Sequence, residues 1–158
     1  MSKAEKFRSL FLQESFLQIL NTRNEYNLLI EALTEEDLNI LIEKNVFFTR
    51  TYSPSAIMEL KNVPACETMK IVTFEANYHK LFLPEEVVAI ILHEIGHAIN
   101  FEMNGIEAEF AADDFAKNKG YAKWIIRGLE KGLELNLIGF EKETIELRKE
   151  NLYKSASI

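Results

Sequence analysis

The sequence predicts an α+β fold, with helices first, a short central β-sheet of about three strands, then helices again. Three observations carry this. Apolar residues recur at helical spacing through residues 4–44, β-branched and aromatic segments gather in 46–83, and helical periodicity returns from Pro84 onward. A chain of 158 residues matches one domain at roughly 150 residues each. The expected division of 1–158 is a helical N-terminal part (1–44), a central part with the sheet and the candidate site (45–120) and C-terminal helices (121–158).

The N-terminal apolar stretches cover about 4–20, 25–33 and 35–44, and Phe7, Leu10, Phe11 and Leu17 follow helical spacing. Thr34 followed by Glu35, Glu36 and Asp37 reads as an N-cap with first-turn acids. Residues 46–52 are β-branched and aromatic and read as a strand, broken at Ser53-Pro54-Ser55. Residues 57–60 fit either a strand or a helical turn. Polar–apolar alternation makes 70–75 a strand, Asn77-Tyr78-His79 reads as a turn, and 81–83 as a short last strand. Pro84, Glu85 and Glu86 open a helix that runs to about Phe101, with Pro at the first helical position. Asn104-Gly105 is a turn signal, a helix follows over about 106–118, and Gly120 stops it. Two amphipathic stretches, about 121–135 and 141–153, complete the pattern before a frayed end.

Composition narrows the function classes. The 25 acids exceed the 18 bases, for a net charge of −7, which argues against a phosphate track for nucleic acid and against adsorption to anionic lipid. The longest strongly apolar run, 87–92, is far shorter than the ~20 residues of a membrane-spanning helix. The basic start is interrupted by Glu14 and glutamines, which argues against an export signal, and it is expected to pack on its own domain rather than lie as an amphipathic helix on a membrane surface. Cys66 is the only cysteine, which excludes an intramolecular disulfide and a Cys-built zinc site. A free thiol without an export signal points to a soluble chain in the reducing cytoplasm.

The chemistry concentrates at His93-Glu94-Ile95-Gly96-His97, an HExxH motif in the middle of the apolar helix. Residues four apart lie on one helix face, so both imidazoles can reach one ion, and neutral imidazole suits Zn²⁺. Glu94 lies about 100° further round and can hydrogen-bond a water beside that ion as a general base. Two imidazoles and an acid are costly to bury in an oily helix unless something pairs them, and one metal ion per chain does so. Catalytic zinc takes three protein ligands and keeps an open position. Asn100 and Met103 occupy the places where an extended HxxGxxH pattern would carry on, so the third ligand comes from elsewhere. Glu109 is the favoured candidate, with Glu107 and Asp113 as alternatives. Asp113, one turn beyond Glu109, can hold the free nitrogen of a ligand histidine. Ala111 and Ala112 are small enough to let that helix press against the HExxH helix.

HEIGHAIN followed by EFAADDFA resembles the HExxH plus ExxAD signature of gluzincin-type zinc metallopeptidases. The second element is similar to that of the CAAX-prenyl-protease and HtpX-like branch, and soluble minigluzincins and ImmA/IrrE-type peptidases have comparable cores. The resemblance covers about 81–116. It implies a small zincin-like domain, zinc held by His93, His97 and Glu109, Glu94 as general base, and Asp113 behind a ligand histidine. The implied reaction is hydrolysis of a peptide bond in a peptide or protein substrate; the alternative is a zinc-binding regulatory or partner-binding module. An oxyanion donor is usual in such sites. Tyr78, His79, Tyr121, Arg127 and Tyr153 are the candidates, each also explicable as a surface or packing residue. The segments 70–75 and 81–83 can offer an edge to an extended substrate. Cys66 reads as a small buried hydrophobe, with ligation of the zinc in a latent state as the sharper alternative.

Overall fold

The computed structural model of the chain describes residues 1–154; the predicted frayed end lies outside them. The fold is α+β, and it divides into two compact units, Met1–Pro84 and Glu85–Ile158. No described helix is long and apolar enough to cross a membrane.

The first unit contains α1 (Lys3–Ser9), α2 (Glu14–Thr22), α3 (Glu25–Ala32), α4 (Glu35–Glu43), β1 (Val46–Thr51), β2 (Ala56–Val63), β3 (Cys66–Glu75) and α5 (Tyr78–Leu81). Thr34 caps α4 as predicted, in a reciprocal box with Asp37; Ser2 and Glu5 do the same for α1. The predicted helical stretch 4–20 is broken between α1 and α2. The break has a tertiary cause: Phe48 N–H donates to the Leu10 carbonyl (2.7 Å) and Leu12 N–H to the Phe48 carbonyl (3.0 Å). Those bonds lay Phe11 beside β1 as a parallel bridge, and the sheet edge replaces the helical bonds given up.

The sheet order is β1-β3-β2, with β1 parallel and β2 antiparallel to β3. The ambiguous segment 57–60 is therefore strand. One face, with Val46, Phe48, Val72 and Phe74, is buried; Phe16 lies against Phe74, at 5.8 Å between ring centres. The strand expected at 81–83 does not form. Tyr78–Leu81 is one helical turn, Phe82 N–H bonds back to the Tyr78 carbonyl (2.9 Å), and Arg23 Nη2 donates to the Phe82 carbonyl (2.9 Å). A side chain thus takes the acceptor that a neighbouring strand would need, and Pro84 has no N–H to offer a ladder. Since β3 is paired on both sides, 70–75 has no edge to lend to a substrate either.

A polar cluster is buried in this unit. Glu25 is fully buried and ion-paired with Arg23, and its Oε2 lies 3.0 Å from His79 Nε2. Arg50 Nε donates to His79 Nδ1 at 3.1 Å, and Arg50 Nη2 to the Ala76 carbonyl at 3.3 Å.

The second unit is helical: α6 (Pro84–Ile99), α7 (Gly105–Asn118), α8 (Ala122–Glu134) and α9 (Lys142–Lys154). α6 is buried on nearly all sides, including Val87, Val88, Leu92, Ile95 and Ala98. α8 buries Ile125, Ile126 and Leu129, and α9 buries Ile145 and Leu152. Fully buried Glu86 is ion-paired with Lys131 of α8 at a part-buried position.

Candidate metal centre

His93 and His97 sit one turn apart on α6, with rings perpendicular and 4.6 Å between centres. Their Nε2 atoms are 3.0 Å apart. α7 comes back across them after a short turn. Gly105, at the start of α7, has φ of 64°, a left-handed backbone that favours glycine. The close approach of the two helices depends on Gly96: a Cβ there would lie 2.7 Å from the Cα of Ala112. Ala112, fully buried, is the small residue that meets α6, whereas Ala111 is only half-buried.

This approach brings Glu109 astride the two imidazoles. Its Oε2 is 3.3 Å from His93 Nε2 and its Oε1 is 3.4 Å from His97 Nε2. Among the described residues, these three form the one group of His, Cys, Asp and Glu side chains converging as metal ligands do, with one atom from each within 4.8 Å of the others. The spacing fits a small divalent ion, because ligands bound tetrahedrally at about 2.0–2.1 Å stand about 3.3–3.4 Å from one another.

Asp113 is fully buried and holds the other side of His93: His93 Nδ1–H donates to Oδ1 at 2.7 Å. With the proton on Nδ1, the Nε2 lone pair of neutral His93 points toward His97 and Glu109, as a ligand must. Asp113 is itself gripped by Arg148 of α9, whose Nε donates to Oδ2 at 2.8 Å and whose Nη2 donates to Oδ1 at 2.6 Å. This is the two-pronged geometry at which a guanidinium binds a carboxylate most strongly. Arg148 Nη1 also lies 3.4 Å from Glu109 Oε2.

The electrostatics follow from these contacts. Burial pushes the His93 imidazole down, as does the charge of Arg148, but hydrogen bonds with Asp113 and Glu109 prevail and raise it to about 9. Burial works against the Glu109 carboxylate, yet its contacts with His93 and His97 hold it well below the ordinary range. Asp113 is also lowered, burial being outweighed by hydrogen bonds from Arg148 and His93. Both carboxylates are therefore anionic at neutral pH, and protons on the imidazoles compete with a metal ion for the same lone pairs.

Of the predicted residues, His93, His97 and Glu109 converge, and Asp113 stands behind His93 rather than among the ligands. Glu107 is exposed in the first turn of α7, outside the group. Glu94 is half-buried on α6, and its charge helps keep Arg148 protonated. Tyr78 packs edge-on against Phe74 and Phe82, His79 belongs to the Glu25 cluster, Arg127 lies over Trp124, and Tyr153 is exposed. Cys66, half-buried in β3 opposite Val63, is not in the ligand group.

Arg148 is the residue the sequence reading missed. Its signal is spacing: Arg148 shares one helix face with Ile145 and Leu152, three and four residues away and both buried. A basic residue at a core-facing position needs a buried anionic partner, and Asp113 is that partner.

Comparison with protein-family models, curated proteins and solved structures returned no match to this chain.

Proposed function

We propose that this centre holds one zinc ion and that the chain is a zinc-dependent peptidase of the gluzincin type, built on a zincin-like domain. The observation that carries the reading is the convergence of His93, His97 and Glu109 with Asp113 fixing the tautomer of His93. Three protein ligands leave an open position, which distinguishes catalytic from structural zinc. When bound, the ion supplies Lewis acidity for an acyl-transfer reaction. The remaining chemistry belongs to side chains. Glu94 takes a proton from the attacking water as the water oxygen bonds to the scissile carbonyl carbon. It delivers that proton to the nitrogen of the leaving amine as the C–N bond breaks. Asp113 and Arg148 keep the ligand set oriented and anionic. The free thiol of Cys66 suits a reducing, cytoplasmic setting.

The test compares the native chain with Glu94→Gln for zinc content and for cleavage of an unfolded protein. Equal zinc, with cleavage lower by about 10²–10⁴-fold in the variant, is expected for loss of a general base. If both bind zinc and neither cleaves across a broad substrate panel, the centre belongs instead to a zinc-binding regulatory or partner-binding module.

A further inference from the structure

The helix that carries Glu109 and Asp113 starts without a side-chain cap. Its N-cap residue is Asn104, a type favoured there because the side-chain oxygen can accept from an N–H of the first turn. Ser2 and Thr34 make that bond at α1 and α4, but Asn104 does not make it at α7. Asn104 and Gly105 are both exposed. A methyl placed on Gly105 would meet nothing within 4 Å, so the space over this peptide bond is open. As the first helical residue, Gly105 has its N–H outside the ladder of α7. An amide side chain not engaged in capping thus stands beside a backbone nitrogen that no helical bond holds and no side chain screens.

We propose that Asn104 is a site of spontaneous deamidation, with water as the co-reactant, and that the reaction gives α7 an anionic N-cap. The Gly105 nitrogen loses its proton to base and bonds to Cγ of Asn104. The Cγ–Nδ2 bond breaks, ammonia leaves, and a succinimide ring closes. Water then adds to either ring carbonyl. Breaking the new Cγ–N bond leaves aspartate in an unaltered main chain. Breaking the original peptide bond instead leaves isoaspartate, with the main chain running through Cγ. The net exchange is an amide and water for a carboxylic acid and ammonia, with nothing oxidised or reduced.

Position selects Asn104 from the other asparagines. It alone precedes glycine. Asn45 and Asn62 precede valine and Asn39 precedes isoleucine, whose branched side chains screen the nitrogen that would attack. The side-chain amides of Asn77, Asn100 and Asn151 donate to Glu75, to the Gly96 carbonyl and to Asp114. The product matters because of where it forms. An aspartate at 104 sets a negative charge at the positive end of α7 and is a strong acceptor for the N–H groups of its first turn.

Peptide mapping by mass spectrometry of the full chain, aged in buffer at mildly acidic and mildly alkaline pH, tests this. Asn104 is expected to convert before any other asparagine, as both aspartate and isoaspartate, and faster at the alkaline pH because the attacking nitrogen must lose its proton. Asn104→Gln, which would need a larger ring, slows conversion at 104 at least tenfold with an unchanged melting temperature. Asn104→Asp, the main-chain-intact product, melts no lower than the fresh native chain. Earlier conversion at another asparagine, or Asn104 still intact when others have changed, overturns the site. Conversion without isoaspartate overturns the succinimide route, and a lower melting temperature for Asn104→Asp overturns the anionic cap.

Discussion

Each unit buries a histidine beside a carboxylate and an arginine, yet the two clusters are built for different ends. In the first unit, Nδ1 of His79 accepts from Arg50, and Nε2 faces the Glu25 carboxylate at 3.0 Å without a hydrogen bond. In the second, the Nδ1–H of His93 is held by Asp113, while Nε2 is directed at His97 and Glu109. The arginine makes the difference. Arg50 donates to the ring itself, whereas Arg148, with Nη2 3.2 Å from His93 Nδ1, makes its two shortest bonds to the Asp113 carboxylate behind the ring. His79 faces an arginine and a single carboxylate, whereas His93 faces a second imidazole and a second carboxylate, a set that can share one ion.

The largest test of this contrast removes a ligand. Glu109→Ala is expected to abolish stoichiometric zinc in metal analysis of the purified chain, while Glu25→Gln leaves zinc content unchanged. Retained stoichiometry in Glu109→Ala would sink the ligand assignment. Glu25→Gln should show its effect in stability. Breaking this buried pair costs about 3–5 kcal/mol, readable by denaturant unfolding. A third test needs no substitution. In metal-free protein, the His93 pKa is raised to about 9, so the stability from its proton is full below its ordinary value and is lost as pH rises through about 9. An ion takes the place of that proton, so the zinc-loaded chain should not show this loss. Uptake of zinc at pH 7 should release a proton, measurable in a weakly buffered titration. Equal pH profiles with and without zinc would contradict this account.

Two smaller effects sharpen the picture. Asp113→Asn keeps the shape but loses the anionic acceptor, and a change of this kind costs about 10–100-fold in metal affinity. Competition with a chelator would measure it, and unchanged affinity would show that Asp113 does not orient His93. Gly96→Ala forces a methyl against the Ala112 backbone, at a cost of about 1–3 kcal/mol for overpacking. Because α7 carries Glu109, zinc affinity should fall with it; a stability loss alone would separate helix packing from the ligand geometry.

Much of the candidate centre was legible because it is local. His93 and His97 lie four apart in one helix, and Glu109 and Asp113 lie four apart in the next, so helical geometry puts each pair on one face. The scarcity of histidine directed attention to a carboxylate as third ligand. Arg148 was illegible for the opposite reason: it is 35 residues from Asp113, on a helix most of whose other charged residues are exposed. The errors in the fold have the same origin. The break at residues 10–13 and the missing strand at 81–83 are each set by a partner distant in sequence, Phe48 in one case and Arg23 in the other.

The amino-acid sequence by itself determined the helices with strong periodicity and caps, the α+β order, and the residues that can meet on one helix face. These follow from backbone geometry and from neighbours within about one turn. Only the tertiary structure decided which nitrogen of each buried histidine is held, which sheet edge is covered, and which arginine stands behind Asp113. Those outcomes depend on where groups far apart in the chain satisfy their hydrogen bonds and charges, and a buried polar group must find its partner wherever packing brings one.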